Sequence, residues 1–392
     1  MKLKDICKFV NEKVDTSSFH LEDYVSTENL LPNKGGVTVA SKIPQGKATL
    51  FKKGDILISN IRPYFKKIYL AKKQGCCSND VLCIRPNSNI PSSYLYYLLS
   101  QDSFFDYVMT GAKGTKMPRG DKGHIMNWAV YQSTLSQQQN IAEILTPLDD
   151  KIAVNSRICA NLEAQAEALF KSWFVDFTPF KDQPFVDSEL GPIPQGWKVG
   201  KLGDYCEVKS GYAFKSSWWT NKGYKIIKIK NISENGDINL NDCSCVLPEN
   251  CDKAKNFIAN TGDIVIAMTG ATIGKFNIIP KIDEKFYINQ RVGKFFLGEK
   301  PIEKVPYIYC FLKQENISTQ IIQKGQGSAQ PNISGADIES IPMLTPMSII
   351  LKYNKMCQPL FEKILSNRLE SKKLSALRDT LLPKLMSGEI KL

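Results

Sequence analysis

The sequence predicts an α+β protein built from two copies of one globular domain, each followed by a long helix, with the two helices paired in a coiled coil. Three observations predict this architecture. Six motifs recur in the same order about 210 residues apart, two stretches carry apolar residues at alternating three- and four-residue steps, and charge is unevenly distributed along the chain. A chain of 392 residues is long enough for two to three domains with separate cores.

The internal repeat is visible in short motifs that keep their order and a nearly constant offset. The pairs are Leu3–Cys7 with Leu202–Cys206, Lys53–Ile58 with Thr261–Ile266, Ser78–Val81 with Ile288–Val292, Pro91–Tyr96 with Pro306–Tyr309, Gly114–Pro118 with Gly327–Pro331, and Pro147–Ile152 with Pro359–Ile364. One such match would mean little, but six colinear matches indicate two copies of one unit.

The globular part of each copy, residues 1–134 and 197–344, has the pattern of a mixed domain. Short β-branched and aromatic runs broken by Gly, Pro and Asn predict strands. The predicted strands are Asp55–Ile61, Lys67–Ala71, Val81–Arg85, Tyr224–Ile229, Asp263–Met268 and Arg291–Phe296. Helices are predicted around Tyr94–Leu99 and Pro306–Leu312. Helices beside an irregular sheet define an α+β domain.

Two helical regions follow the globular parts, at 135–175 and 345–392, and a linker at 176–196 precedes the second globular part. The stripe runs through Leu148, Ile152, Asn155, Cys159, Leu162, Ala166, Leu169 and Trp173, and again through Leu360, Ile364, Asn367, Ser371, Leu374, Arg378, Leu381 and Leu385. Spacing of 3.5 residues predicts a coiled-coil seam. The alternative is that each helix packs only on its own domain, but two such helices in one chain favour the seam.

The first helix has a second predicted feature, a start at Thr146. Thr146 is a suitable N-cap, Pro147 loses no hydrogen bond in the first position, and Asp149 and Asp150 suit the positive end of the helix dipole. A preceding segment, Ser136–Leu145, continues the same apolar phase.

Asn155 and Asn367 occupy the same phase of the two stripes, 212 residues apart, where Leu or Ile is expected. Two interpretations remain open. Either both amides lie at the solvated edge of the seam, or they lie inside it and fix the register of the two helices at a cost in stability.

Charge separates the same segments. The net charge is +8 for residues 1–134 (19 basic, 11 acidic), −5 for 135–196, +4 for 197–344 (19 basic, 15 acidic) and +5 for 345–392, within a total of +12. Basic globular domains suit a polyanionic partner such as duplex DNA.

Polar and basic residues stand on Gly-punctuated loops at equivalent places in both copies, and these are the candidate DNA-binding residues. They are Asn60, Arg62, Lys66, Lys67, Lys113, Thr115, Lys116, Arg119, Thr269, Thr272, Lys275, Gln290, Arg291, Lys324, Gln326, Ser328 and Gln330. Arg, Asn and Gln can read base edges, whereas Lys, Ser and Thr can hold phosphates. For any one of these residues a solvated surface role is an equal alternative.

No catalytic or metal-binding signature accompanies them. The chain has two histidines, and its eleven cysteines form no C-x-x-C pair, so neither a histidine-rich nor a spaced-cysteine metal centre is expected. Gly270–Lys275 superficially resembles a phosphate loop but has the wrong spacing and Phe276 after its lysine, and it is predicted to be a tight turn. No apolar run is long enough to cross a bilayer, and the charged N-terminus does not resemble a signal peptide.

Three longer strings resemble the specificity subunit of type I restriction–modification systems. Leu145–Phe177 resembles that family's central conserved region, Leu190–Trp197 resembles the entry to its second recognition domain, and Leu377–Ile390 resembles its C-terminal region. The first copy lacks a counterpart of Gly191–Trp197, so its entry is expected to be shorter.

The resemblance implies the rest of the architecture and the partners. Two target recognition domains, 1–134 and 197–344, would each read half of a split DNA site, and the helices would form an antiparallel coiled coil that sets the gap between the halves. The chain itself would bind no cofactor and have no catalytic activity. Two methyltransferase subunits and two restriction subunits would bring adenine-N6 methylation and DNA cleavage, with S-adenosylmethionine, ATP and Mg²⁺, in the cytoplasm.

Two other classes remain as alternatives. One is a DNA-modifying enzyme with a fused recognition domain, and the other is a coiled-coil adaptor that binds only protein. The basic charge of both globular domains argues against the adaptor.

Overall fold

The structure is a computed structural model that describes residues 1–233, 238–326 and 331–392. It divides into two compact units. The first unit is Met1–Ile152 together with Lys373–Leu392, and the second is Ala153–Lys372. Each unit contains one globular domain and part of each long helix.

The first unit contains two four-stranded sheets and three short helices. Its strands are β1 (Cys7–Phe9), β2 (Lys13–Asp15), β3 (Tyr24–Val25), β4 (Lys47–Phe51), β5 (Ile56–Ser59), β6 (Ile68–Leu70), β7 (Gly75–Cys77) and β8 (Val81–Pro86), and its helices are α1 (Ser92–Leu99), α2 (Asp102–Thr110), α3 (Lys122–Met126) and the first part of α4 (Leu135–Phe174). One sheet has the order β1-β8-β5-β6 and is antiparallel throughout, while the other has the order β2-β4-β7-β3 with β3 parallel to β7.

The second unit begins with the rest of α4 and a short hairpin of β9 (Phe185–Val186) and β10 (Ile193–Pro194). Its domain comprises β11 (Val199–Lys201), α5 (Leu202–Tyr205), β12 (Glu207–Ser210), β13 (Trp219–Thr220), β14 (Tyr224–Ile227), β15 (Ser244–Val246), β16 (Ile258–Ala259), β17 (Ile264–Ala267), β18 (Phe276–Ile278), β19 (Phe286–Ile288), β20 (Val292–Phe296), α6 (Val305–Lys313), α7 (Glu315–Gly325), α8 (Gly335–Glu339) and β21 (Pro342–Leu344), followed by α9 (Met347–Met386).

The predicted α+β repeat is confirmed strand by strand. The sheet β12-β20-β17-β18 has the order and pairing of β1-β8-β5-β6. In the other sheet, β16-β19-β14 repeats β4-β7-β3, with one antiparallel and one parallel pair in each. The two copies differ at the edges, where the first adds β2 and the second adds β15 and β13. None of the described helices is long and apolar enough to cross a membrane.

In each copy a buried aspartate at the start of a fully buried strand binds a cation of the neighbouring strand. Asp55 accepts from Arg85 Nε at 2.7 Å and from the backbone of Lys52 at 2.8 Å. Asp263 lies 2.6 Å from Lys294 Nζ and accepts from the backbone of Asn260 at 2.7 Å. Burial raises the pKa of Asp263, and the charge of Lys294 opposes that shift. The pair joins the turn before β5 or β17 to the neighbouring strand of the sheet.

Helix α4 begins earlier than the predicted cap at Thr146. It starts at Leu135, and Pro147 lies inside it. Thr134 and Gln137 exchange hydrogen bonds at its start, with the Thr134 backbone donating to Gln137 Oε1 at 2.9 Å and the Gln137 backbone donating to Thr134 Oγ1 at 3.3 Å. This reciprocal pair has the geometry of a capping box. The earlier turns are retained because Ile141 and Leu145 are buried in the core of the first unit.

Because α4 begins at Leu135, Asp149 lies inside the helix and not at its N-terminus. It accepts from Arg378 on α9 at 2.6 Å and from the Tyr97 hydroxyl on α1 at 2.9 Å. In the first unit this carboxylate therefore joins both long helices to the globular domain.

The two long helices are antiparallel, as the pairs of contacting residues in the second unit show. The Tyr353 hydroxyl donates to the carbonyl of Ala166 at 2.8 Å, Arg368 donates to Glu163 at 2.6 Å, and Asn155 Nδ2 donates to Glu370 at 2.8 Å. Contacts move backwards along α4 as they move forwards along α9. The predicted pairing of the helices is thus observed within the unit.

The ten predicted seam residues all lie at least partly buried. Asn155, Ile364 and Asn367 are buried, and Leu148, Ile152, Leu162, Leu169, Leu360, Leu374 and Leu381 are partly buried. The sequence stripe missed the largest side chains of the interface on α9, Tyr353 and Phe361, which are fully buried.

Candidate nucleic-acid interface

Two loops of the first domain are joined through their backbones. The first loop, residues 60–67, connects β5 to β6, and the second, residues 111–121, connects α2 to α3. Ile61 forms a β-bridge with Arg119, the backbone N–H of Arg62 donates to Pro118 at 2.8 Å, and that of Gly120 donates to Asn60 at 3.2 Å. The candidates on these loops are therefore neighbours, although up to 59 residues separate them in sequence.

The second domain joins its equivalent loops by the same bonds. Residues 268–275 connect β17 to β18. Thr269 forms a β-bridge with Asn332, Gly270 donates to the carbonyl of Pro331 at 3.0 Å, and Ile333 donates to that of Met268 at 3.0 Å. The repeat therefore extends to single backbone hydrogen bonds. We call the two joined loops of each domain the loop pair. It comprises residues 60–67 and 111–121 in the first domain, and residues 268–275 with Pro331–Ile333 in the second.

A third segment in each domain lies beside the loop pair. It is the turn before β8 in the first domain and the turn before β20 in the second. Asn60 donates to the carbonyl of Asp80 at 2.8 Å, and Met268 donates to that of Arg291 at 3.0 Å. Exposed Gln290 and Arg291 thereby lie beside the second loop pair. The strands that end here, β5 and β17, are buried along their whole length, so their cores fix where the loops begin.

Several candidate cations of the first domain are held in surface ion pairs. Lys66 and Lys34 both approach Asp102, at 3.0 and 3.2 Å, Lys113 approaches Asp121 at 3.0 Å, and Arg119 approaches Asp80 at 3.2 Å. Pairs of this kind contribute little to stability, typically about 0–1 kcal/mol. Lys113 and Arg119, whose side chains are 82% and 57% exposed, can therefore exchange a carboxylate for a phosphate at little cost.

Asp102 organises two of these lysines. Partial burial raises the pKa of its carboxyl, but the hydrogen bond from Lys66 and the charge of Lys34 outweigh that effect and hold the pKa below its ordinary value. The carboxylate is thus charged at neutral pH and fixes both ammonium groups beside the loop.

Other candidates have hydrogen-bonding partners inside the fold. Lys67 Nζ donates to the carbonyl of Thr27 at 2.6 Å, and burial lowers its pKa. Thr272 Oγ1 donates to the carbonyl of Thr269 at 3.2 Å, and Lys324 Nζ donates to Ser340 at 3.1 Å. In this structure these side chains bind groups of their own domain, and only Thr272 binds within its own loop.

The remaining candidates divide by exposure. Thr115, Lys116 and Gln326 are exposed, whereas Lys275 is partly buried. Ser328 and Gln330 lie outside the described residues. Within the part of the chain that the structure describes, no cluster of three His, Cys, Asp or Glu side chains could hold a metal ion.

The sequence interpretation missed one neighbouring segment, the turn at Asn33 and Lys34. Asn33 donates to the carbonyl of Phe65 at 2.8 Å and Lys34 to that of Lys66 at 2.9 Å. The signal was present in Pro32-Asn33-Lys34-Gly35-Gly36, because Asn and Gly favour turns with positive φ. Tyr64 and Phe65 lie exposed at the tip of the same loop.

Comparison with known proteins defines the family. Residues 1–164 and 194–353 match the model of the type I restriction modification DNA specificity domain. The two matches cover each globular domain with part of the helix that follows it, and the chain belongs to this family.

Individual relatives extend over nearly the whole chain. The chain is 28% identical to the type I restriction enzyme MjaIX specificity subunit of Methanocaldococcus jannaschii, over 94% of this chain and 85% of that protein. It is 25% identical to the HindI specificity subunit of Haemophilus influenzae, over 99% and 98%. Among solved structures, the type I restriction-modification S subunit from M. genitalium shares the fold, with a TM-score of 0.59 at 17% identity over 98% of this chain and 95% of that one.

Proposed function

We propose that this chain is the DNA-reading subunit of a type I restriction–modification complex, in which each globular domain binds one half of a bipartite duplex target. The loop pair carries this proposal. It occurs twice, with the same backbone hydrogen bonds, in two domains that match a DNA specificity family. Duplication of the loop pair supports two contacts with the target, one for each domain.

The side chains on the two loop pairs differ although their backbones agree. Asn60, Arg62 and Arg119 of the first domain correspond to Met268, Gly270 and Asn332 of the second. Since base edges are distinguished by the donors and acceptors that face them, different side chains select different bases. The two halves of the target are therefore expected to differ in sequence.

The chemistry of modification and cleavage is assigned to partner subunits. Two methyltransferase subunits would supply S-adenosylmethionine and adenine-N6 transfer, and two restriction subunits would supply ATP- and Mg²⁺-dependent cleavage, in the cytoplasm. This chain would contribute sequence recognition and docking surfaces and bind no cofactor. The relatives are named specificity subunits, which supports a chain without catalysis.

The docking surface is proposed to lie on the outer face of α4 between Glu163 and Phe174. Glu163 itself faces inwards, where it accepts from Arg368 at 2.6 Å and from the Tyr309 hydroxyl at 3.1 Å. The outer face consists of exposed Ala164, Gln165, Ala168 and Lys171. The small side chains of Ala164 and Ala168, one helical turn apart, allow a partner to approach the helix closely.

The paired asparagines support a fixed register of the two helices. Asn155 and Asn367 are 1% and 2% exposed, so the solvated alternative does not fit their positions. Asn155 Oδ1 and Asn367 Nδ2 find no hydrogen-bond partner among the described residues. Buried unsatisfied amides cost stability, and the pair is retained, on this proposal, because it selects one alignment of α4 with α9.

DNA binding by the isolated chain tests the proposal at its simplest level. The purified chain should shift duplex DNA in a gel, and its affinity should fall at least about tenfold between 50 and 200 mM salt, since phosphate contacts release counterions. Incubation with S-adenosylmethionine should leave the DNA unmethylated. Absence of binding at low salt would favour the protein-only adaptor, and methylation by the chain alone would favour the fused enzyme.

Charge reversal on the outer face of α4 tests docking. The double variant Ala168→Glu, Lys171→Glu should lose most of the methyltransferase that co-purifies with the parent chain, because two carboxylates would have to be buried in the interface. Complexes that still form should methylate the parent target. Lys53→Glu, an exposed lysine in the first domain, is the matched control. A double variant that assembled normally, or that methylated a different sequence, would contradict the division of roles.

Replacement of both asparagines tests the register. Asn155→Leu, Asn367→Leu removes two unsatisfied buried polar atoms, Asn155 Oδ1 and Asn367 Nδ2, together with the hydrogen bond from Asn155 to partly buried Glu370. The net effect should be a higher melting temperature, by about 2–4 °C for each kcal/mol of unfolding free energy gained. Sliding one helix by a heptad moves it ~10 Å, about three base pairs along DNA. Methylome sequencing should therefore show methylation at targets with altered gaps. A variant no more stable than the parent, with an unchanged gap, would show that the asparagines do not set the register.

A further inference from the structure

The loop between β5 and β6 has the same length and backbone as its counterpart between β17 and β18, but not the same residues at two special positions. Arg62 and Lys66 have φ of 50° and 51°. Gly270 and Gly274, each 208 residues later, have φ of 72° and 85°. The second domain thus uses glycine where the turn requires the left-handed region, and the first domain uses two long basic residues.

A basic residue at such a position carries a cost. An L-amino acid in the left-handed region is destabilised by roughly 1–2 kcal/mol, which glycine avoids. Of the five non-glycine residues with positive φ in the described part of the chain, four lie in this one cluster: Asn33, Lys34, Arg62 and Lys66. Strain concentrated at one site is typically retained for function.

For the two lysines the fold itself gives a reason. Lys34 and Lys66 both form ion pairs with Asp102, which packs them beside the loop. The side chains of Lys34 and Lys66 therefore take part in the local structure, and this accounts for two lysines at positions where the backbone is strained.

Arg62 has no such partner. Its Nε is buried and makes no hydrogen bond in the described residues, and no acidic side chain there forms an ion pair with its guanidinium. Its backbone N–H is bound to Pro118 at 2.8 Å, and the next residue, Pro63, is buried. The backbone of Arg62 is thus held in place, whereas its guanidinium makes no hydrogen bond or ion pair within the described residues. The guanidinium is therefore available to an acceptor on a bound molecule.

Resting on the proposed function, we propose that Arg62 is a specificity-determining residue that reads a guanine in the first half of the target. The planar guanidinium donates two parallel hydrogen bonds, which match O6 and N7 of guanine in the major groove. A rigid loop lowers the entropy lost on binding. The free-energy cost of the strained loop is then offset by the contact with guanine, which a glycine at this position could not make.

A base contact explains Arg62 better than a phosphate contact does. Phosphates can be bound by exposed lysines on unstrained backbone, and the same loop pair already offers Lys113 and Lys116. Only an oriented contact needs a fixed backbone and a fork of donors. Exposed Tyr64 and Phe65, two and three residues after Arg62, would lie against the same groove.

The test uses the full chain and two substitutions at one position. Arg62→Gly removes the side chain and the strain, and Arg62→Ala removes the side chain but keeps the strain. Each variant and the parent are used to select sequences from a random duplex DNA library. Both variants should lose the preference for guanine at one position in one half-site, by roughly 10- to 100-fold. The other half-site and the gap should be unchanged.

Melting temperatures supply the second readout. Arg62→Gly should melt about 2–4 °C above Arg62→Ala, because glycine relieves the left-handed strain. Glycine at the equivalent position of the second domain shows that this loop backbone accepts it. Lys53→Ala, which removes one exposed charge of the same domain, should leave the selected sequence unchanged.

Three results would overturn the inference while leaving the proposed function in place. Uniformly weaker binding to all sequences, with a salt dependence reduced by about one phosphate contact, would make Arg62 a phosphate ligand. An unchanged preference for guanine would show that Arg62 does not contact the target. Equal melting temperatures of the two variants would show that the position is not strained. A parent chain that selects no sequence at all would overturn the proposed function, and the inference with it.

Discussion

The β-bridge between two loops in each globular domain is the constraint on which the candidate interface depends. Ile61 pairs with Arg119 in the first domain, and Thr269 pairs with Asn332 in the second. The bridge uses only backbone atoms, so it survives when side chains change. A fold that fixes the loops in this way can present different donors and acceptors at one place, which is what a family of DNA specificity domains requires.

Polar side chains in the interior of each unit, away from the loop pairs, help to hold that unit in one arrangement. Asp55 and Asp263 bind cations on the adjacent strand, and each also accepts from the backbone of the turn before its own strand. Replacing one partner of such a pair leaves an uncompensated buried charge, at a cost of about 3–5 kcal/mol. In the helices, Asp149 plays a comparable part in the first unit and Glu163 in the second. These interactions favour one arrangement of each unit over slipped alternatives.

Much of the architecture could be predicted from the sequence because it depends on periodicity and repetition. The six repeated motifs predicted two equivalent domains, and short β-branched and aromatic runs predicted strands such as Val81–Arg85 and Arg291–Phe296, which the structure extends or shortens by one residue. The equivalence of the candidate loops in the two copies also followed from the repeat, since Gly114–Pro118 and Gly327–Pro331 match in sequence. That the loops within one domain lie side by side was not predicted.

What escaped prediction depends on tertiary contacts that leave no local pattern. Thr146 and Pro147 have the residue types of a helix start, but burial of Ile141 and Leu145 in the first core extends α4 to Leu135. Lys67 resembles a phosphate ligand in sequence, yet its ammonium is bound to a carbonyl 40 residues away.

Left-handed backbone is likewise invisible where the residue is not glycine. Gly270 suggested a turn, whereas Arg62 at the equivalent position gave no sign of one.

Independence of the two domains is the central claim, and a domain exchange tests it most directly. Residues 1–134 would be replaced by the equivalent part of a relative with a different target, and the methylated sites of cells that express the complete system would be sequenced. Because each domain has its own core and its own loop pair, base contacts in one should be nearly independent of those in the other. The result predicted is a new sequence in one half of the target, with the other half and the gap retained. A change in both halves, or a single continuous target, would contradict the account.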